Sequence, residues 1–324
     1  MSDYIVTIDM GGTKILGALV NSKEGIAATT KKSTKVTKGK PGYPLALHET
    51  VQKLIAENGI KESQIKAICL GVPGFVDPPS GVIGMAPNLG LKNYHIKKEL
   101  QKYTKLPVII ENDVNLAALG VLHFDKAKGK KNVLVVYVGT GIGGGLIFNG
   151  SVYRGAHNFA GEIGHITYDV TGPVCGCGKK GCFEAFASRT AMVRDIVNDI
   201  KKNKKRSLLS KQVKDGIQIK SKILSQALEA EDKVAVKHVS NACYIIGKVL
   251  ADLNNLLNLE MIVLGGGAIE AGHKFMMPLI RESFKQYSLP FLGSHVKVVN
   301  SALGDDAALL GGIPLAHEFL GIKV

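Results

Sequence analysis

The chain contains no tryptophan, only 6% aromatic residues, and far fewer acidic than basic side chains, 27 Asp and Glu against 41 Lys and Arg. What else it lacks excludes more. The first residues, Met1 to Val6, carry no basic-then-apolar leader signature, and nowhere do about 18 apolar residues run uninterrupted, as a bilayer-spanning helix requires. These absences predict a soluble cytoplasmic protein with no membrane partner. No low-complexity linker divides the 324 residues, so any two domains must be packed lobes joined by a hinge. Neither an HExxH metal-protease pattern nor a GxxxxGK[ST] phosphate loop is present. The formal charge of +14 raises nucleic acid or a membrane surface as partners, but the densest basic runs, 31–40 and 201–206, interleave no aromatics and belong to no DNA-reading module. They read as solvated loops and helix ends. A positive bias also suits anionic small substrates such as nucleotides.

Cysteine is scarce too, with five in all, yet three of them crowd together. Cys175, Cys177 and Cys182 follow ten residues after His165 in Gly161-Glu162-Ile163-Gly164-His165. An odd total, the short Cys175 to Cys177 spacing and the missing leader argue against a disulfide framework. Three thiolates and an imidazole suit Zn²⁺ in a closed tetrahedral cage with no open position, so the expected metal is structural rather than catalytic. Glu162 and Glu184 flank this knot, which can hold both carboxylates in place. Cys69 and Cys243 fall in apolar segments and are expected to be core residues.

Tyr4-Ile5-Val6-Thr7-Ile8, then Asp9-Met10-Gly11-Gly12-Thr13-Lys14, then the apolar run from Ile15 read as strand, glycine turn, strand. A similar unit recurs about 130 residues on, with Val133 to Val138, then Gly139-Thr140-Gly141-Ile142-Gly143-Gly144-Gly145, then Leu146-Ile147-Phe148. The repetition implies two duplicated α/β halves. Between and after them the pattern predicts a helix from Leu45 to Asn58, a strand from Ala67 to Val72, a helix from Lys97 to Thr104 and a strand from Pro107 to Ile110. Apolar residues at helical spacing (Val239, Cys243, Ile246, Val249, Leu253, Leu256) predict a helix from Val236 to Leu257 with one buried face. Strand Met261 to Leu264 then leads to Gly265-Gly266-Gly267, and strand Val296 to Val299 to a last helix through Leu309.

Gly139, Gly141 and Gly144 match the dinucleotide pattern GxGxxG, but that fingerprint needs a helix to begin at the glycines. Leu146 to Phe148 followed by Asn149-Gly150 reads instead as the return strand of a hairpin. Two glycine hairpins, each with a Thr hydroxyl, can offer backbone N–H groups to one polyphosphate, since glycine permits close approach of the backbone. Taken singly, either loop is equally a tight turn. Asp9, opening the first loop, is well placed to hold Mg²⁺ directly or through water.

Together these residues resemble the ROK family of sugar kinases and repressors. The resemblance rests on Asp9-x-Gly-Gly-Thr-Lys14, Val72-Pro73-Gly74, Glu111-Asn112-Asp113, Gly139-Thr140-Gly141, Gly161 to His165, the cysteine cluster, Gly265 to Gly267 and Gly304-Asp305. The cysteine cluster with its preceding GEIGH is the specific part. It implies a duplicated actin-like or ribonuclease H-like ATPase fold of two α/β lobes, 1–116 plus 306–324 and 117–305, with the active cleft between them. It implies ATP-dependent phosphorylation of a hexose at its 6-hydroxyl, glucose first, with Asp113 as general base. Read from local sequence alone, Asn112 or Asp113 could equally cap a helix beginning near Val114.

By the same likeness Gly74, Asn88, Asn112, Asp113, Glu162, His165 and Glu184 bind the sugar, with His165 also on zinc beside Cys175, Cys177 and Cys182. Asp9, Gly11, Gly12, Thr13, Lys14, Thr140 and Gly141 serve the ATP phosphates, and Gly265, Gly266 and Gly267 the adenosine. Lys14 is alternatively a solvated lysine. Where relatives often carry Trp after the Pro87-Asn88-Leu89-Gly90 stretch, this chain has Leu91. Family likeness suggests a homodimer or homotetramer. The rival readings are a kinase for N-acetylmannosamine, mannose or fructose, a polyphosphate-dependent kinase, and a sugar-sensing repressor. The last needs a DNA-binding domain ahead of the phosphate loop, which here begins at Asp9, so nucleic acid is not expected as a partner.

Overall fold

The computed structural model describes residues 2–34 and 42–324, so most of the basic run 31–40 lies outside the described residues. The chain divides into two compact units, one of Met1–Gly129, Gly150–Ala160 and Asp305–Val324, the other of Lys130–Asn149 and Gly161–Gly304. Among the described residues no helix is long and apolar enough to cross a membrane.

In the first unit, β1 (Tyr4–Met10) and β2 (Lys14–Asn21) form an antiparallel hairpin, and β3 (Gly25–Ser33) extends it. After α1 (Gly42–Glu57), strand β4 (Ile65–Val72) pairs parallel with β1, giving the order β3-β2-β1-β4-β8, with β8 (Val108–Asn112) parallel to β4. β4 is buried almost throughout, as a central strand covered on both faces must be. α1 lies on β2 and β3, and α11 (Asp306–Leu320) on β1, β2 and β4. A Cβ at Gly17 would press on Thr50 and Leu54 of α1, whereas one at Gly312 would meet Thr7, the strand neighbour of Ala18. Alternation along β2 sends residues 17 and 18 to opposite faces, so the two helices lie on opposite sides of this sheet. A small antiparallel sheet, β5 (Phe75–Asp77), β6 (Val82–Ala86) and β7 (Leu91–Tyr94), shares the core with β1 and β4 through Val76, Ile83 and Leu91. The expected helix from Lys97 is only α2 (Ile96–Leu100), ending where Thr104 bonds the Leu106 amide and turns the chain toward β8. β8 runs straight into α3 (Asp113–Phe124).

The second unit repeats the plan. β9 (Val133–Val138) and β10 (Ile142–Phe148) form an antiparallel hairpin, and a short strand β11 (Ser151–Val152) follows in the first unit's stretch. β12 (Met261–Gly265) pairs parallel with β9, and β13 (Lys297–Asn300) parallel with β12. The pairings of β1, β2, β4 and β8 thus recur in β9, β10, β12 and β13, as the repeated glycine units led one to expect. Six helices, α4 (Phe183–Ala187), α5 (Arg189–Lys201), α6 (Ser210–Lys214), α7 (Ser221–Glu229), α8 (Lys233–Leu257) and α9 (Gly267–Tyr287), surround this sheet with α10 (Pro290–His295).

α8 begins where the Asp232 carboxylate accepts from the Ala235 amide and ends at Asn258 in the left-handed region. Val239, Cys243, Ile246, Val249 and Leu253 are buried as expected, but Leu256 is 77% exposed and Leu257 packs on the core instead. A 3.6-residue turn drifts off a 3.5-residue spacing, and by the last turn the buried position has moved one residue on. The basic run 201–206 forms the end of α5 and the following loop, and Lys205, Lys237 and His238 converge on Asp199, whose carboxyl is held well below the usual range chiefly by Asn203 and Lys205.

The last helix runs well past Leu309 to Leu320 and packs on α3 through glycines at the crossing. A Cβ at Gly120 would collide with the Ala307 carbonyl and one at Gly311 with the Leu116 carbonyl. Because backbone, not a movable side chain, stands in the way, Gly120→Ala should cost about 3 kcal/mol of stability, the upper end of overpacking losses. Denaturant unfolding that shows less than about 1 kcal/mol would mean that the two helices are free to separate.

Candidate active site and metal centre

The turn from β8 into α3 is built around two side chains. Asn112 is the N-cap, its Oδ1 accepting from the amides of Val114 (2.9 Å) and Asn115 (3.1 Å). Its Nδ2 donates to the Gly74 carbonyl at 3.1 Å. Gly74 has φ of 98° with its Cβ direction filled by Met85, so only glycine can present that carbonyl there. The cap is therefore Asn112, and Asp113 occupies the first helical position, half-buried, with Oδ1 on the Val114 amide at 3.0 Å. Burial pushes the Asp113 carboxyl up, against the pull of that amide. A carboxylate so raised is a stronger base than a solvated one.

Beneath them lies Glu111, 1% exposed. Its Oε1 accepts from the Asn112 amide and Asn115 Nδ2, and its Oε2 from Arg154 Nε at 2.7 Å. Arg154 also grips Glu318 with both Nη atoms, at 2.6 and 3.0 Å, and lies over the Phe319 ring.

In the first glycine loop the Gly11 amide bonds the Lys14 carbonyl, and Thr34 closes over it through Oγ1 to the Gly11 carbonyl and its amide to the Thr13 carbonyl. A Cβ on Gly12 would sit 3.2 Å from the Asn88 carbonyl, so this loop and the Pro87–Leu89 turn touch. Leu91 is buried in the unit's core. Lys14 is neither simply solvated nor unpaired, because its Nζ holds the Asp305 carboxylate. The half-buried Asp9 carboxyl is pushed up to about 7, first by burial, then by the Asp113 charge, with Asp305 adding and Lys14 opposing. Asp113 and Asp305 each disfavour the charged form of Asp9, and a hard divalent cation such as Mg²⁺ beside Asp9 would offset that.

In the second unit the glycine loop is tied down differently. The Gly139 amide bonds the Gly141 carbonyl, and the Gly139 and Thr140 carbonyls accept from the Arg189 amide and Thr190 Oγ1. The Ile142 amide donates to Glu184 Oε2 at 2.8 Å, and a Cβ at Gly141 would run into that carboxylate. Glu184 thus sits directly behind the loop. The Gly265-Gly266-Gly267 turn joins β12 to α9. A Cβ at Gly265 would meet the Tyr137 ring at 3.0 Å, and Gly266, at φ of 85°, packs on the Val138 backbone. Sequence reading missed Arg189, whose Nη2 and Nη1 donate to Thr140 Oγ1 (2.9 Å) and Ser221 Oγ (3.0 Å). A single arginine in Ser188-Arg189-Thr190 matches no motif, and only the fold brings it to the loop.

His165, Cys175, Cys177 and Cys182 converge, their ligand atoms all within 4.8 Å of one another. A tetrahedral zinc with Zn–S bonds of about 2.3 Å separates its sulfurs by about 3.8 Å. The Cys177 and Cys182 sulfurs lie 3.6 Å apart, and Cys175 Sγ is 3.7 Å from His165 Nδ1. The His165 ring turns its other nitrogen, Nε2, toward Glu162 at 3.8 Å. Cys175 Sγ reaches Glu184 Oε1 at 3.6 Å, so the same carboxylate touches both the thiol set and the glycine loop. Burial raises the Cys175 thiol to about 12 and raises Cys182, whereas the Lys179 amide lowers Cys177. Two buried thiols so reluctant to ionise fit a site where a cation supplies the missing charge. Cys69 and Cys243 are free and buried in apolar surroundings, as expected. Exposed His157 lies outside the cluster.

A hairpin-and-parallel-strand unit built twice, with a glycine loop in each hairpin and a raised carboxylate at a strand end, places the protein in the actin-like α/β sugar-kinase fold. The chain belongs to the ROK family, whose family model matches residues 5–319. It is 35% identical over 314 residues to a glucokinase of Halalkalibacterium halodurans, covering 96% of this chain and 94% of that protein. It is 31% identical to a xylose repressor of Caldicellulosiruptor bescii, covering 96% of this chain and 77% of the repressor. Among solved structures it resembles a ROK family glucokinase from Streptomyces griseus in complex with glucose and AMPPNP, with a TM-score of 0.82 and 31% identity over 97% of this chain and 99% of that one.

Two predictions follow from the charges. With its folded pKa raised to about 7, Asp9 favours the protonated folded state, a contribution complete below about pH 4 and lost as pH rises through about 7. Asp9→Asn should therefore leave the Tm of the ligand-free protein near that of wild type at about pH 4 and raise it at about pH 8. Equal Tm values at both pH values would contradict the raised pKa. The Cys₃His set should hold one zinc per chain by elemental analysis, and Cys177→Ser should release it and lower the Tm. A zinc-free variant as stable as wild type would show that the metal does not support the fold.

Proposed function

We propose that the protein phosphorylates a hexose at its 6-hydroxyl with ATP, with glucose the preferred sugar, glucose 6-phosphate the product and Asp113 the general base. The observation that carries this is the Asp113 carboxyl itself, held at the first turn of α3 beside the N-cap Asn112, raised by burial and neighboured by Asp9. The family membership and the likeness to enzymes named glucokinases support it.

Phosphoryl transfer depends mainly on alignment and charge neutralisation, so a base that orients the attacking hydroxyl while accepting its proton suffices. Asn112, its Oδ1 occupied by amides, and the Gly74 backbone set the sugar beside Asp113; Asn88, Glu162, His165 and Glu184 complete the hydroxyl contacts. Gly12, Thr13, Thr140 and Gly141 hold the phosphates, Gly265 to Gly267 the adenosine, and Asp9 is placed to hold Mg²⁺, which neutralises phosphate charge when bound. His165, Cys175, Cys177 and Cys182 would hold zinc as a structural ion, and His165 in turn faces Glu162 through Nε2. The enzyme acts in the cytoplasm as a homodimer or homotetramer.

The likeness to xylose repressors supports a second reading, a sugar sensor. ADP release from Mg-ATP with glucose, mannose, fructose, N-acetylglucosamine and N-acetylmannosamine, with polyphosphate as a parallel donor, separates these readings. Fast turnover with glucose is expected. Asp113→Asn should lower kcat about 10³-fold, the range for general base catalysis, while leaving glucose affinity within about twofold. Full activity in that variant would refute the assignment of the base, and sugar binding without turnover in wild type would favour the sensor.

A further inference from the structure

Arg189 opens α5 immediately after the cap residue Ser188, whose Oγ accepts from the Ala191 amide. Its own amide is bonded to the Gly139 carbonyl at 3.0 Å, which fixes the start of the helix against the second glycine loop. Its guanidinium then bridges two hydroxyls, Thr140 Oγ1 on that loop and Ser221 Oγ at the start of α7. Ser221 Oγ in turn lies 3.4 Å from the Cβ position of Gly267, at the start of α9. The guanidinium therefore links the loop to a hydroxyl that lies beside the glycine turn following β12.

The partners of this arginine are what set it apart from the other charged clusters. Arg154 is neutralised by Glu111 and Glu318, Arg194 by Asp195, and Lys205 by Asp199. Among the described residues no carboxylate pairs with Arg189, which bonds only neutral hydroxyls. A guanidinium has five N–H donors and two are engaged here, so three make no bond among the described residues. Thr140 Oγ1, by accepting from Arg189, keeps its own proton to donate. The loop carbonyls of Gly139 and Thr140 are both occupied on the α5 side. A half-buried cation without a counter-charge, beside a hydroxyl donor in a glycine loop, has the chemistry of a phosphate ligand.

We propose that Arg189 binds the phosphate chain of the nucleotide donor, supplying to the second glycine loop the fixed positive charge that a lysine supplies in GxxxxGK[ST] loops. This rests on the reading of that loop as a phosphate site. Arg189 sets donor affinity, and the sugar is indifferent to it. Its contacts to Thr140 and Ser221 pre-orient the fork, so ordering costs little when the nucleotide arrives.

The test compares wild type with Arg189→Gln, which can still bond the hydroxyls but carries no charge, and with Arg189→Lys. Titration calorimetry with Mg-ATP and, separately, adenosine, both without sugar, is read beside the KM values for ATP and glucose. Loss of a charge-assisted bond should weaken Mg-ATP binding about 10- to 100-fold in Arg189→Gln, with adenosine affinity, glucose KM and Tm near wild type, and Arg189→Lys should recover part of the loss. Unchanged ATP affinity in Arg189→Gln, or an equal loss for ATP and adenosine with a fallen Tm, would make Arg189 a structural strut and overturn the proposal. Wild type that binds Mg-ATP through Arg189 but turns over no sugar would sink the kinase reading and leave this one standing.

Discussion

The first unit depends on the neutralisation of one buried carboxylate. Glu111, at the end of β8, is inaccessible to water, and an unpaired charge there would be unsustainable. Arg154 reaches it from the 150–160 stretch and, with the rest of its fork, ties in Glu318 on the last helix. The other oxygen of Glu111 accepts from the Asn112 amide and from Asn115. A strand end, the first turn of α3, a returning segment and the C-terminal helix are thus joined through two residues. Asp113, one step beyond, inherits a fixed position from them. Charge satisfaction in the core and placement of the half-buried Asp113 carboxyl are the same constraint.

The second unit uses a carboxylate in a comparable way, but to connect a metal set with a loop. Glu184 faces the Ile142 amide with one oxygen and Cys175 with the other. Its place in the first turn of α4, two residues after Cys182, means that whatever orders the thiols also orders the loop. The absence of a side chain at Gly141 is required by that carboxylate, a reason for glycine distinct from ligand approach. Gly139, Gly164 and Gly265 illustrate the range: the first leaves open space, whereas the other two are pressed by the Ile142 carbonyl and the Tyr137 ring. Glycine in these loops serves packing at some positions and accessibility at others.

The charges around the two loops differ. Around the first stand Asp9, Asp113 and Asp305 with a single lysine, a set that raises the Asp9 carboxyl and favours a divalent cation. Beside the second stands Arg189, which pairs with no carboxylate among the described residues, while Glu184 lies behind the loop on the Ile142 amide. The overall excess of basic residues does not explain this, since the Lys201–Arg206 run is partly absorbed by Asp199 and lies at a helix end.

The local chemistry of the segments was readable without coordinates. β-branched runs on either side of glycine clusters implied hairpins, and the same run twice implied duplicate sheets, which the repeated pairings of β1 and β9 bear out. Three cysteines and a histidine at short spacing marked a candidate metal set, and the fold brings the four together. Chain order alone could not decide which of Asn112 and Asp113 capped α3, since either side chain can accept from the first amides; the Gly74 carbonyl settled it by engaging the Asn112 amide group. Nor could it reveal that Leu256 faces outward, that Lys14 pairs with a residue 291 positions away, or that Arg189 meets Thr140 and Ser221. Periodicity and residue type act over a few neighbours, and these they determined. Long-range ion pairs and the capture of an arginine by two hydroxyls arise only when distant segments pack, so tertiary structure alone decided them.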